Sequence, residues 1–414
     1  METITRRNFL KGTLLATLLA GAYLGTNPLD GIAAGRTVQP NIVVMFTDDM
    51  GFGDIGIHGC KDIPTPNIDA LAKGGVQLTN GYVTAPQCFP SRQGLFTGQY
   101  QQRIGCTGNS YHGRSKPTTS MATILKQAGY TCGGLGKLQG AEGLNQLKGK
   151  RSNPYELGRM AAAFIEENKA KPFFLYYAPQ SPHNPLRPKP ESLARFENIK
   201  DDMRRRYAAV VFEIDQAVGV MIDKLRELGL LENTLIFFIN DNGGPEMGGN
   251  GSNASENDPL NGRKTELMEG GIRVPFIASW EGTLPAGTIY RYPVITMDVF
   301  ATAAAIADAK LPNGFEPDGV NLIPYLKGEN KERPHGALFW MNRHARDSWW
   351  AVRKGDDKLV VHNKQVMLFN LKEDPYEKKD LSREQPDKVS DLSFALTKWL
   401  EQMPQEVPRW QPAR

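Results

Sequence analysis

The 414-residue chain has only four cysteines, Cys60, Cys88, Cys106 and Cys132, and none of them sits at the tight spacing of a metal knuckle or a redox pair. A cysteine-built metal centre is therefore excluded. Charge of one sign is also scarce: 49 Lys and Arg against 45 Asp and Glu leave a formal charge of +4, too mild to imply a nucleic-acid partner though compatible with an anionic substrate. There is no internal repeat, and no low-complexity segment apart from the Gly/Asn-rich stretch 243–262. The apolar run from Thr13 to Leu24 is roughly a dozen residues long, short of the ~20 that span a bilayer, so no permanent membrane span is expected. What remains is the composition of an ordinary water-exposed enzyme, 40% hydrophobic and 23% charged, long enough for a large core and two domains.

The N-terminus indicates the compartment. Thr5-Arg6-Arg7-Asn8-Phe9-Leu10-Lys11 is a twin-arginine pattern, followed by the short apolar run and by the small residues Ala33-Ala34. This reads as a twin-arginine (Tat) signal over residues 1–34, with the Tat translocase as partner and a periplasmic or secreted product beginning near Gly35. Because that route exports folded proteins, folding and any modification come first, in a bacterial cytoplasm.

Further along, short apolar runs alternate with helical patterns. Asn41–Phe46, Tyr130–Leu135, Pro172–Ala178 and Thr234–Ile239 read as buried parallel strands, with another strand at Arg273. Tyr207, Val210, Val211, Ile214, Val218, Met221, Ile222, Leu225 and Leu228 recur at helical spacing, and 153–169 is a second helix. A mostly parallel sheet with helices on both faces follows. From about residue 330 the pattern changes to short strands at 335–340, 348–353, 358–361 and 366–370 and a terminal helix near 387–403. The expected organisation is 35–329 as an N-terminal catalytic domain and 330–414 as a smaller C-terminal α+β domain.

The chemistry-bearing residues lie at the strand ends. Asp48-Asp49 follows the first strand, and Asn240-Asp241-Asn242-Gly243 ends a strand about two hundred residues later. Oxygen ligands at the C-terminal edge of a parallel sheet share one crevice and suit a hard cation. Cys88-Phe89-Pro90-Ser91-Arg92, followed by Thr97-Gly98, places a cysteine at the mouth of a helix, where Pro is tolerated and negative charge is favoured. Gly136-Lys137, Pro182-His183-Asn184-Pro185 and Lys264 before Glu269-Gly270-Gly271-Ile272-Arg273-Val274-Pro275 supply cationic groups at further loop positions.

Together, and in this order, these segments resemble the formylglycine-dependent (type I) sulfatase family of the alkaline phosphatase superfamily. The resemblance implies an alkaline-phosphatase-like α/β fold, mostly parallel with helices on both faces, plus a smaller C-terminal antiparallel sheet. It implies oxidation of Cys88 to formylglycine by formylglycine-generating machinery, leaving three cysteines and at most one internal disulfide. It implies a Ca2+ site, rather than Mg2+, made by Asp48, Asp49, Asp241, Asn242 and position 88. Arg92 and calcium would hold a hydroxyl of the formylglycine hydrate, with Asp241 as base. Lys137, His183 and Lys264 would contact the sulfate ester as that oxygen attacks sulfur. His183 would protonate the leaving alcohol or serve as a fixed donor.

The chain departs from the family after Gly136-Lys137, where Leu138-Gln139-Gly140 stands in place of a bulky residue and a histidine implicated in releasing sulfate. Gln139 can hydrogen-bond but cannot take a proton. Only about a dozen residues separate Gly140 from the next helix, where the family carries a longer insertion. Substrate is expected to be a sulfated carbohydrate or polysaccharide. His112, Arg114, Asn342, Arg343, His344 and Arg346 are placed in loops, where they bind neighbouring sugar groups or are simply solvated. Trp349 and Trp350 fall in a strand, so at least one is core. Two other readings stay open: a phosphate or phosphonate monoester hydrolase of the same superfamily, and a catalytically impaired relative that binds sulfated glycans.

Overall fold

Four apolar runs that each end in polar residues lie next to one another in one sheet. The computed structural model describes residues 39–109, 111–112, 119–147, 153–245, 252–344 and 347–410; the signal expected over 1–34, Arg114 and Arg346 lie outside them. The eight-stranded sheet runs in the order Thr288–Tyr290, Val76–Leu78, Phe276–Ser279, Thr234–Asn240, Asn41–Thr47, Phe173–Ala178, Thr131–Gly136, Asn145–Gln146. Strands Thr234–Asn240, Asn41–Thr47, Phe173–Ala178 and Thr131–Gly136 pair in parallel. Their register aligns Thr47 with Asn240 and Gly136 with Ala178, so their C-terminal ends reach one edge.

These strands read as continuous apolar runs because both faces are covered. Ile42, Val44, Phe46, Phe174, Tyr176, Leu235, Phe237 and Ile239 point into one core, with helices Cys88–Thr97, Met121–Gln127 and Met297–Ile306 over them. Val43, Met45, Leu175, Tyr177, Ile236 and Phe238 point into the other, under helices Pro66–Lys73, Pro154–Glu167 and Asp202–Glu227. The longest helix, Asp202–Glu227, starts at Asp201, whose side chain accepts from the Arg204 N–H at 2.7 Å, a cap that contributes about 1 kcal/mol.

Two elements differ from the sequence expectation. No strand begins at Arg273. Residues Glu269–Ile272 form a helical turn, and the strand starts after Pro275, at Phe276–Ser279, antiparallel to both neighbours. Gly271 sits so close to the Glu266 carbonyl that a Cβ would fall 2.1 Å from it, which makes a tight turn rather than an extended strand the accessible conformation. Asn342, Arg343 and His344 are not loop residues. They continue the strand Leu338–His344 and pair with Trp349, Ser348 and Asp347.

That strand is the outer member of an antiparallel sheet, Leu338–His344, Asp347–Lys354, Asp357–His362, Gln365–Asn370, covered by helix Pro386–Glu401. Both tryptophans are buried. Trp349 stacks on His362 at 3.9 Å, and the Trp350 indole N–H donates to the Pro408 carbonyl at 3.2 Å.

A buried ionic cluster links this sheet to the turn Glu269–Ile272. Lys358 is fully buried and lies 2.8 Å from both Glu269 Oε1 and Glu377 Oε1. The Tyr82 hydroxyl donates to Glu269 Oε2 at 2.7 Å, and the Glu269 N–H donates to Glu377 Oε2 at 2.6 Å. Burial pushes Glu269 upward, but Lys358, Arg273 and Arg353 outweigh it and hold it at about 2. Glu377 is pushed up to about 7, by burial first, against the pull of Lys358 and helped by the charge on Glu269.

Candidate active site

The register of the parallel strands brings Asp48-Asp49 and Asp241-Asn242 together. Asn240 locks the two strand ends. Its Oδ1 accepts from Thr47 Oγ1 at 2.9 Å and the Met50 N–H at 3.1 Å, and its Nδ2 donates to the Met50 carbonyl at 2.7 Å. Asp49 takes a left-handed backbone, φ 67°, which an Asp tolerates better than most residues. Its N–H then donates to Asp241 Oδ1 at 3.2 Å, and Asn242 Nδ2 donates to Asp49 Oδ1 at 2.7 Å. Asp48, Asp241 and Asn242 are fully buried.

Cys88 opens the helix Cys88–Thr97, as the sequence pattern predicts. One ligand atom each from Asp48, Cys88 and Asp241 lie within 4.8 Å of one another. Arg92, one turn on and fully buried, points into the same cluster. Its guanidinium donates to Asp241 Oδ2 at 2.6 Å, to the Tyr176 hydroxyl at 2.9 Å and to the Lys137 carbonyl at 3.2 Å.

Lys137 and His183 arrive from the loops after strands Thr131–Gly136 and Phe173–Ala178, and Lys264 from the segment before Glu269–Ile272. Lys137 donates to Asp48 Oδ2 at 2.8 Å, Lys264 to both oxygens of Asp49 at 2.7 and 2.6 Å, and His183 Nε2 lies 3.7 Å from Asp49 Oδ2. Three carboxylates thus face three permanent cations, so a divalent ion would turn the site net positive and suited to an anion. Burial alone would raise Asp48, yet Lys137, Arg92, His183 and Lys264 bring it down to about 2. Asp241 moves the other way, raised by burial and then by the charge on Asp48. Two carboxylates whose environments separate them in this manner are suited to different proton states at one pH.

All nine of Asp48, Asp49, Cys88, Arg92, Lys137, His183, Asp241, Asn242 and Lys264 therefore fall in one cluster. Gln139 is exposed, and lines a recess of about 440 Å³ with Lys137, Gln146 and Gln180. His112 and His344 lie in strands Tyr111–His112 and Leu338–His344, and their side chains are outside the description.

Sequence reasoning left several residues here without a role. Tyr176 is concealed in an apolar run. Asn109 is an isolated polar residue, yet its Oδ1 accepts from the Phe89 N–H at 3.1 Å and its Nδ2 is 3.6 Å from Cys88 Sγ. Asn253 Nδ2 donates to the carbonyls of Asp49 and Pro182, both at 2.9 Å, so the described part of the Gly/Asn-rich segment does border the cluster. Thr265 holds φ 80°, an outlier for a β-branched residue that costs about 1–3 kcal/mol.

The sulfatase family model matches residues 40–309, a span that holds every member of this cluster. The chain belongs to the sulfatase family. This is the formylglycine-dependent sulfatase family, and the chain is accordingly a sulfuric ester hydrolase. It is 30% identical to human arylsulfatase A over 87% of this chain and 83% of that one. It is 29% identical to human N-acetylgalactosamine-6-sulfatase, covering 84% and 83% of the two chains. Among solved structures, Ps i-CgsB in complex with k-i-k-neocarrahexaose superposes with a TM-score of 0.79 at 31% identity, over 89% of this chain and 94% of that chain. The PsFucS1 sulfatase from Pseudoalteromonas sp., at 22% identity and a TM-score of 0.74 over 90% and 92%, shares the fold. Membership of this family implies a metal and a formylglycine, and Asp48, Cys88 and Asp241 form a possible metal site among the described residues. Among the described residues, no helix is long and apolar enough to cross a membrane.

Proposed function

We propose that this chain hydrolyses sulfate esters of a carbohydrate or polysaccharide, with Cys88 converted to formylglycine and a calcium ion held by Asp48, Asp49, Asp241, Asn242 and position 88. The observation that carries the reading is Cys88 at the mouth of a buried helix, its ligand atom within 4.8 Å of Asp48 and Asp241. The donor set fits a hard cation: Asp48 Oδ1 and Asn242 Oδ1 are buried without a hydrogen-bond partner among the described residues, and oxygen donors suit calcium. Cys88 Sγ is too soft for that role and stands where the oxygens of a formylglycine hydrate would lie. When present, these two groups supply a Lewis acid and an oxygen nucleophile.

In this reading Arg92 orients the group at position 88, and Asp241 accepts its proton. Lys137 and Lys264 offset charge on the sulfuryl oxygens, and His183 acts as proton donor or fixed donor at the leaving oxygen. A carbohydrate ester is supported by relatives whose names carry N-acetylgalactosamine and neocarrahexaose. Tat export of 1–34, a periplasmic or secreted location, the formylglycine-generating machinery as partner and a division into 35–329 and 330–414 belong to the same proposal.

The deciding experiment is mass spectrometry of the Cys88 peptide from exported protein, with aryl sulfate hydrolysis before and after chelation. Formylglycine is expected, with activity lost on treatment with EGTA and recovered on adding calcium but less fully with magnesium. Activity indifferent to chelation would remove the metal from the reading.

Gln139 favours a second reading, a relative that binds sulfated glycans but turns them over poorly. Replacing Gln139→His is expected to raise kcat on an aryl sulfate by roughly tenfold, within the range of a general acid or base. An unchanged kcat would mean that Gln139 is not what limits turnover.

A further inference from the structure

We infer that Asn342, from the C-terminal sheet, is a positioning residue that holds Lys264 in place beside the Cys88 turn. The inference rests on the sulfatase reading above and adds a residue that lies beyond the matched span 40–309. The outer edge of strand Leu338–His344 is seated along the segments that build the site. The Trp340 indole N–H donates to the Val83 carbonyl, Gln102 Nε2 to the Met341 carbonyl, and Asn342 Nδ2 to the Thr265 carbonyl, each at 2.8 Å. The Arg343 carbonyl lies against Gly108 so closely that a Cβ there would come within 2.1 Å of it.

Thr265 is the residue after Lys264, and its own N–H donates to the Pro86 carbonyl at 2.8 Å, two residues before Cys88. The two peptide groups that flank Thr265 therefore tie the residue next to Lys264 to the nucleophile turn on one side and to Asn342 on the other. Thr265 holds this place with φ 80°, a backbone it adopts only under constraint. Asn342 is fully buried, and its Oδ1 has no partner among the described residues. Leaving that oxygen unpaired is unfavourable, so the donor end on Thr265 accounts for an asparagine at this position. Without the Asn342 bond, Thr265 relaxes toward negative φ and carries Lys264 away from Asp49, to which it now donates at 2.6 Å.

The test uses Asn342→Ala and, because a cavity can impair folding, the near-isosteric Asn342→Leu as well. In the formylglycine form, kcat on an aryl sulfate is expected to fall about tenfold or more, with KM within about twofold, as suits a displaced catalytic group. Adding Thr265→Gly to either variant is expected to recover most of the loss, since glycine adopts positive φ freely and keeps the N–H bond to the Pro86 carbonyl. In the unmodified Cys88 protein, amide exchange at residue 265 is expected to quicken in the Asn342 variants and to slow again in the double variants. A kcat within twofold of wild type, or a double variant no better than the single, overturns the positioning role. If wild-type protein carrying formylglycine shows no sulfate release, the sulfatase reading fails, while the exchange data still decide whether Asn342 holds Thr265.

Discussion

Replacing Cys88→Ala is expected to remove sulfate-ester hydrolysis and to leave the fold standing. The residue is 7% exposed, and among the described residues its sulfur makes only long approaches to Asn109, 3.9 Å to Oδ1 and 3.6 Å from Nδ2. It occupies the first position of helix Cys88–Thr97, where alanine is a good helix former. The stability change is therefore expected to stay below about 1 kcal/mol, the scale of a helix-propensity difference. Activity is expected to fall by roughly 10⁴-fold or more, as when a nucleophile is deleted. Thermal melting and aryl sulfate turnover, measured on one preparation, check both halves. Residual turnover above a few per cent of wild type would place the nucleophile elsewhere.

Replacing Lys358→Met is expected to have the opposite signature, with stability lost first. The substitution leaves Glu269 and Glu377 buried and facing each other without the ammonium that lies 2.8 Å from each. Breaking a buried ion pair by removing one partner costs about 3–5 kcal/mol, read as a fall in the urea midpoint at pH 7.5. The sign of the pH dependence follows. With the ammonium gone, Glu377, already raised by burial, is pushed further up, and Glu269 loses the largest of the charges that hold it down. The folded state then binds the extra protons, and stability returns as pH falls through the raised Glu377 value. The gap between variant and wild type is expected to narrow from pH 7.5 to pH 5. A midpoint within error of wild type at both pH values would mean that the cluster is neutral to folding.

The parts legible in the sequence are those where one local pattern determines the outcome. Strands 41–47, 131–136, 173–178 and 234–240 are buried on both faces, so they read as unbroken apolar runs. The polar residues that end them had to fall at one edge of a parallel sheet. Cys88 at a helix mouth and Arg92 one turn later were also readable, since Pro90 and the apolar residues after it are local signals. What was hidden depends on distant partners. Lys358 looks like a solvated surface lysine until Glu269 and Glu377 enclose it. Asn342, Arg343 and His344 look like loop residues because they are polar, yet pairing with 347–349 makes them strand. Tyr176 belongs to an apolar run, and its hydroxyl acquires a role only through Arg92, 84 residues away.

The closure of the core by Lys358 and Glu377 also orders events during synthesis. The turn 269–272 and its neighbour Lys264 are fastened by side chains that emerge near the end of translation. At ribosomal speeds of 5–20 residues per second, roughly 15–60 s separate the appearance of Cys88 from that of Glu377. Throughout that interval the chain lacks Lys358 and Glu377, so Glu269 stays without the ammonium and the carboxylate that hold it in the finished fold. Late completion of the core thus keeps the site-bearing sheet waiting for its last fastenings until almost the whole chain has been made.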